Sequence, residues 1–98
     1  MFNIETAITG TESQIKWATE IRRVMLVHVN QRVDNAKRRA SEDASFARLA
    51  EITEETAATA VKNLEKFTAA QIIAGKDRNF GDFIAAAAQK KFNAEVAK

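Results

Sequence analysis

Apolar residues recur at steps of three and four positions over most of the chain, which is the spacing of one face of an α-helix. The first such run starts after Thr11, which stands three residues before Gln14 as in a capping box. The stripe consists of Ile15, Ala18, Ile21, Met25, Val29, Val33 and Ala36, widened by Trp17, Val24 and His28. Residues 24–29 alone would also suit a strand, but the period on both sides is helical. We therefore predict one long helix over 12–39, with Trp17 buried.

The middle of the chain, residues 42–74, is also helical in pattern, but its division is open. Ser41 or Asp43 would cap its start. Thr53 precedes two glutamates, which is typical of another helix N-terminus, so the segment is either one helix or two that divide near 53. Gly75 is expected to end it.

The two ends of the chain complete the predicted fold. The charged, glycine-containing stretch 76–82 predicts a loop, and a last helix spans 82–96 with its phenylalanines facing the core. In residues 1–10, Phe2, Ile4 and Ile8 alternate with polar residues, so this arm lies along a helix groove or forms an isolated extended edge. We predict a single all-α domain over 1–98, a compact bundle of three main helices, or four, with a short extended N-terminal arm.

The composition of the chain excludes several kinds of site and a membrane span. The 98 residues suit one domain, and the chain has no Pro and no Cys. Without cysteine there is no disulfide, Cys-ligated zinc site, iron–sulfur cluster or thiol nucleophile. No apolar run approaches the roughly 18 residues of a membrane span, and the first residues lack the apolar core of a signal peptide. We expect no membrane association and a location in the cytoplasm of the host cell.

Candidate catalytic groups lack companions. His28 is the only histidine, and a metal site would have to use carboxylates alone beside it. Glu51, Glu54 and Glu55 could suggest acid–base or cation chemistry, but no phosphate-binding loop, nucleophile–base set or zinc motif accompanies them. Acidic residues near a helix N-terminus are the explanation that we favour. We predict no enzymatic activity, no cofactor and no metal.

Charge points to a possible contact surface. The formal net charge is only +2, but Arg32, Lys37, Arg38 and Arg39, here called the basic end, lie towards the end of the first predicted helix. Arginine suits partner contacts because its planar fork bonds carboxylate or phosphate bidentately. The loop at 76–82 can adapt to a partner. The candidate partner-binding residues are Arg23, Arg32, Lys37, Arg38, Arg39, Lys76 and Arg78.

Residues 9–22, Thr-Gly-Thr-Glu-Ser-Gln-Ile-Lys-Trp-Ala-Thr-Glu-Ile-Arg, resemble a recurring element of small phage and mobile-element proteins. In that element a Thr-Gly turn leads into a helix reading Gln-Ile-x-Trp-Ala-x-x-Ile-Arg. A later segment in those proteins contains Trp and Asp, which residues 71–76 here lack. The resemblance implies a phage or mobile-element origin, with no settled activity attached to the element.

Two functions follow as predictions. The first is a small non-catalytic protein that binds a larger protein partner stoichiometrically, for example an anti-CRISPR-like inhibitor of host defence. The alternative is a nucleic-acid-binding accessory protein that uses the basic end, with weak and salt-sensitive binding. The two differ in whether the basic end is unpaired or neutralised by the acids of 42–55. Self-association into a homodimer is left open.

Overall fold

The computed structural model describes residues 1–97, in which four α-helices and no strand are found. The elements are α1 (Glu12–Glu42), a 3-10 turn (Ala44–Phe46), α2 (Ala47–Leu64), α3 (Ala69–Ala74) and α4 (Phe80–Val96). The predicted all-α bundle with an extended arm is confirmed. Lys98, the last residue of the predicted domain, lies outside the described residues.

The start of α1 is the predicted capping box. The Gln14 N–H donates to Thr11 Oγ1 (3.3 Å), and the Thr11 N–H donates to Gln14 Oε1 (3.2 Å). The helix continues past the predicted end at 39 to Glu42, where the Asp43 N–H still donates to the Arg39 carbonyl (2.9 Å). Asp43 then caps the 3-10 turn by accepting from the Ser45 N–H (3.0 Å). The first helix is thus longer than its apolar pattern alone indicated.

Of the two alternatives for 42–74, a division near residue 53 is absent, because α2 runs without interruption from Ala47 to Leu64. Thr53 is buried, and its hydroxyl donates to the Leu49 carbonyl one turn earlier (2.7 Å), so it acts as an interior residue and not as a cap. The chain breaks instead at 65–68. Thr68 and Gln71 form a second capping box that begins α3, and Gly75 ends α3 as expected.

The last helix begins at Phe80, two residues before the predicted start. Its cap is Asn79, whose side chain accepts from the Asp82 N–H (3.0 Å). Gly81 lets α4 approach α1 closely, because a Cβ there would stand 2.9 Å from Arg32 Cγ and 2.9 Å from the His28 carbonyl oxygen. The predicted loop is therefore shortened to 75–79.

The core lies along one side of α1, which contacts α2, α3 and α4. The predicted α1 stripe is confirmed at Ala18, Met25, Val29 and Val33, all buried. Ile52, Leu64, Ile72 and Ile84 are the largest fully buried side chains contributed by the other helices. At about 1.5 Å per residue, the 31 residues of α1 span roughly the whole 47 Å length of the molecule.

The N-terminal arm lies along α1 in the antiparallel direction. The Asn30 side chain accepts from the Phe2 N–H (2.7 Å) and donates to the Phe2 carbonyl (2.9 Å). Arg22 donates to the Thr6 carbonyl (2.9 Å), and the Ala69 N–H donates to the Thr9 carbonyl (2.9 Å). These bonds hold the arm between α1 and α3. The arm's own side chains Ile4 and Ile8 are buried in the core.

The prediction that Trp17 is buried is wrong, since the residue is 52% exposed. Adjacent residues of a helix point about 100° apart, and the fully buried neighbour is Ala18. Val24 and Val27 are exposed on the same outer side of α1 as Trp17. The other elements cover only the inner side, so this second apolar row remains at the surface.

Candidate interaction surface

Each cation of the basic end has an intramolecular contact. Lys37 Nζ lies 3.0 Å from Glu54 Oε2, and Arg32 forms an ion pair with Asp82 of α4. The Arg39 guanidinium stands 4.6 Å from the centre of the Phe46 ring. Arg38 donates to Asn35 Oδ1 (3.3 Å). Only Lys37 is thus neutralised by an acid from 42–55, but the basic end is not a row of free cations.

Arg32 and Arg39 lie on the same side of α1. They line one side of a small cavity of about 120 Å³ between α1, α2 and α4, whose floor includes Ala50 and Thr53. Ion pairs between partly exposed side chains contribute little to stability. The contacts of the basic end therefore orient its side chains more than they hold the fold together.

The other three candidates lie apart from the basic end. Arg23 pairs with Glu20 on the exposed side of α1, with Nη2 to Oε1 at 2.6 Å. The hydrogen bond from Arg23 lowers the pKa of the Glu20 carboxyl, and the same bond raises the pKa of Arg23. Lys76 lies 3.3 Å from the carboxylate of its neighbour Asp77. The seven predicted residues do not form one site.

Arg78 differs from the other six candidates. Its backbone N–H donates to the Gly75 carbonyl (3.1 Å), but its exposed guanidinium makes no ion pair or hydrogen bond with any residue of 1–97. It lines an apolar cavity beside Phe80 and Phe83. Arg78 is thus a cation at the edge of an uncovered apolar surface.

The glutamates that could have suggested catalysis are engaged separately. Glu51 pairs with Arg48 (2.9 Å), Glu54 with Lys37, and Glu55 with Lys91 (3.7 Å). In the described part of the chain, no group of three or more acidic, histidine or cysteine side chains could hold a metal ion. Glu51 pairs within α2, whereas Glu54 and Glu55 link α2 to α1 and to α4, so the three carboxylates have separate partners.

A groove runs along the outer side of α2 and α4. It consists of two adjoining cavities of about 410 Å³ and 400 Å³, which share Ala60, Asn63 and Phe83. We call it the α2–α4 groove. The larger cavity is lined by Met25, Ala60, Asn63, Leu64, Phe67, Gln71, Ala74, Gly75, Arg78, Phe80 and Phe83. The smaller is lined by Glu55, Thr56, Thr59, Ala60, Asn63, Phe83, Ala87 and Lys91.

Phe83 stands at the junction of the two cavities and is 61% exposed. Its ring stacks on that of Phe80, with centres 6.2 Å apart and planes 9° from parallel. The expectation that the phenylalanines of the last helix face the core is therefore wrong for Phe83, and Phe67 is exposed as well. The buried row of α4 is Gly81, Ile84 and Ala88, so Phe83 points about 100° away from Ile84. A helical wheel of α4 would have shown this offset.

Arg48 forms ion pairs between the two helices that form the groove. Its guanidinium donates to both oxygens of Glu95 (2.6 and 3.0 Å) and to Glu51 (2.9 Å). The bonds to Glu95, and then to Glu51, raise the pKa of Arg48. The start of α2 is thereby joined to the end of α4, as expected for two antiparallel helices. Sequence reasoning did not identify this residue.

No helix of residues 1–97 has the length and apolar character needed to cross a membrane. No known protein family matches the chain, and no curated protein or solved structure matches it either. The resemblance of residues 9–22 to phage and mobile-element proteins therefore stays a prediction.

Proposed function

We propose that this protein is non-catalytic and acts by binding a larger protein partner stoichiometrically through the α2–α4 groove. The observation that carries the proposal is the exposure of Phe83 at the junction of two apolar cavities. Large exposed apolar patches on soluble domains mark interaction sites, and aromatic residues with arginine are enriched at their energetic centres. Phe83 and Arg78 supply that pair of residue types at one place.

The resemblance of residues 9–22 supports an origin in a phage or mobile element. The form of the function that we propose on that basis is an inhibitor that occupies a surface of a host defence complex, as anti-CRISPR proteins do. Such an inhibitor needs no catalytic set, and its effect depends on the molar ratio to its target.

The nucleic-acid alternative has less support from the contacts of the basic end. Lys37 and Arg32 would have to leave carboxylates to reach phosphates, and Arg39 would have to leave the ring of Phe46. A surface that uses few cations gives weak binding with a shallow salt dependence. The groove requires no such exchange, because its apolar side chains and Arg78 are already uncovered.

The test compares two exposed aromatic residues on different sides of the molecule. Tagged wild-type protein, Phe83→Ala and Trp17→Ala are used to capture partners from host lysate with and without nuclease treatment, and the masses of the recovered complexes are measured by native mass spectrometry. Phe83→Ala should lose the partner at least tenfold, while Trp17→Ala should retain it at a fixed molar ratio. Denaturant unfolding should show both variants within about 1 kcal/mol of wild type, because both side chains are exposed.

Two results would contradict the proposal. One is turnover of a substrate by sub-stoichiometric protein, which would reveal an enzyme. The other is capture that survives Phe83→Ala but is lost on Arg32→Ala with Arg39→Ala or on nuclease treatment, which would move the function to the basic end and favour the nucleic-acid alternative.

A further inference from the structure

We infer that the α2–α4 groove receives an amphipathic helix of the partner, whose apolar row straddles Phe83 and whose carboxylate binds Arg78. This inference rests on the proposed function, because it names what the groove of that function holds. It depends on the shape of the groove, on the absence of a strand edge in residues 1–97, and on the charge at the two ends of the groove.

The walls of the groove are two antiparallel helix rows. On α4, the row consists of Phe83, Ala87 and Lys91, which stand four residues apart. On α2, the opposite row includes Ala60 and Asn63. Side chains four apart form the ridges that pack into the grooves of a neighbouring helix. Between Glu55 and Leu64, α2 rises about 13.5 Å at about 1.5 Å per residue, enough for two to three turns of a docked helix.

Small side chains in the middle of the groove permit a close approach. Ala60 and Ala87 lie across the groove from each other, and Phe83 stands beside them. Helix axes pack 8–10 Å apart depending on the side chains between them, and alanine allows the shorter distances. A partner helix can therefore bring one apolar row onto the alanines and another against the exposed ring of Phe83.

The walls cannot bind a partner by extending a sheet. The two long rows belong to α2 and α4, whose backbone N–H and C=O groups bond within the helix. Phe67, Gly75 and Arg78 of the larger cavity lie in loops, but residues 1–97 contain no strand edge. Strand addition needs such an edge, whereas docking of an amphipathic helix needs only an apolar groove. Recognition along the α2 and α4 rows therefore comes from side chains, which selects a helix with apolar residues at i, i+3 or i+4, and i+7.

The charge of the groove differs between its ends. At the end of the groove farther from Arg78, Glu55 and Lys91 neutralise each other, with Lys91 Nζ 3.7 Å from Glu55 Oε2. At the near end, Arg78 has no ionic partner within 1–97, and no carboxylate from that part of the chain lines the larger cavity. A carboxylate of the bound helix at this end would form charge-assisted hydrogen bonds with the guanidinium, which are the stronger kind. The groove therefore favours an acidic partner helix in one orientation.

The experiment uses a yeast-displayed library of short helical peptides, sorted for binding to the full-length protein. Wild type should enrich peptides with the apolar spacing above and with Asp or Glu at one position next to it. Arg78→Glu should enrich Lys or Arg at that same position, and Phe83→Ala should enrich nothing. Arg23→Glu is the matched charge control, since Arg23 lies outside the groove, and it should still select acidic peptides.

The selected acidic peptide should bind Arg78→Glu roughly tenfold to a hundredfold more weakly than wild type, as expected for the loss of a hydrogen bond to a charged group. Failure to enrich helical peptides, or the same charge preference in wild type and Arg78→Glu, would overturn the inference. Concentration-dependent self-association that is lost in Phe83→Ala would also overturn it, by placing a second copy in the groove. Partner capture that depends on Phe83 would still support the proposed function in either case.

Discussion

Trp17 and Phe83 are both large aromatic side chains that the bundle leaves exposed, and each stands next to a fully buried residue in its helix. Trp17 precedes Ala18, and Phe83 precedes Ile84. The buried face of each of these two helices is narrow, because small residues such as Ala18, Gly81 and Ala88 pack against the neighbouring helices. As a result, a large residue one position away falls outside the contact and remains in solvent.

Replacing Trp17 should therefore have little effect on stability. We expect Trp17→Ala to change the free energy of unfolding by less than about 1 kcal/mol, against roughly 3 to 5 kcal/mol for a tryptophan in a core. Ile84→Ala, at a fully buried position, is the matched control and should cost about 2 to 5 kcal/mol. Urea unfolding measures both, and wild-type Trp17 fluorescence should resemble that of exposed indole. Equal losses in the two variants would contradict this.

The sequence predicts which residues carry an apolar row more reliably than it predicts which row is covered. Met25 and Val29 were predicted on the core face of α1 and are buried. Trp17 has the same periodicity but lies beyond the reach of the other elements. Periodicity gives the direction of each row within its helix, whereas coverage depends on where the other helices pack.

At the scale of the elements, α4 packs closely against α1 at Gly81, where the space admits only glycine. Gly81 faces the backbone carbonyl of His28, which cannot move without disturbing α1. Gly75, at the end of α3, faces its nearest atoms at 3.7 Å, an ordinary contact distance. The two glycines therefore have different roles, although both stand near helix ends.

We expect Gly81→Ala to destabilise the protein by about 1 to 3 kcal/mol, because the added methyl group would push α4 away from α1. Gly75→Ala, whose φ of −94° suits alanine, should be neutral or stabilise by up to about 1 kcal/mol. Thermal and urea unfolding of the two variants give the comparison. A stabilised Gly81→Ala protein would show that the helices can separate at no cost.

Element boundaries were predictable where a capping motif was used. Thr11 with Gln14 was recognised, and Thr68 with Gln71 repeats the same spacing at the start of α3, so that boundary was also readable. Thr53 followed by glutamates looked similar but lacks the reciprocal bond. Its hydroxyl bonds within α2, which a sequence pattern does not distinguish from capping.

Across the whole molecule, the α2–α4 groove could not be predicted from sequence because it exists only after two distant segments pack. Phe67 belongs to the break between α2 and α3, Arg78 to the loop before α4, and Phe83 to α4. Arg78 was predicted as a contact residue from its place in a loop, but its apolar surroundings arise from the packing. The pairing of Arg32 with Asp82 likewise joins residues fifty positions apart.

The hydrogen bonds of two carboxylates also make the stability of the folded protein depend on pH. The N–H of Ser45 lowers the pKa of Asp43, and Arg23 lowers that of Glu20. A lowered pKa means that the folded state favours the ionised form, so this stability is fully present above the ordinary carboxyl pKa and is lost as pH falls through the lowered value.

We therefore expect the free energy of unfolding to be flat from neutral pH to about pH 5, and to fall through about pH 4 and below. Urea titrations at a series of pH values measure this. Asp43→Asn should reduce the acid slope, while a substitution of Lys66, which makes no ion pair within 1–97, should leave the slope unchanged. A protein that gains stability as pH falls would contradict the assignment.

The attachment of the N-terminal arm has a consequence for the order in which the protein folds. Asn30 can bind Phe2 only on a formed α1, and Thr9 can accept from Ala69 only when α3 has docked. Closure of the arm must therefore follow assembly of the helices, and its opening should precede their separation. In native-state hydrogen exchange, the Phe2 amide should belong to the least stable cooperative unit of the protein, exchanging by a local opening that leaves the helices intact.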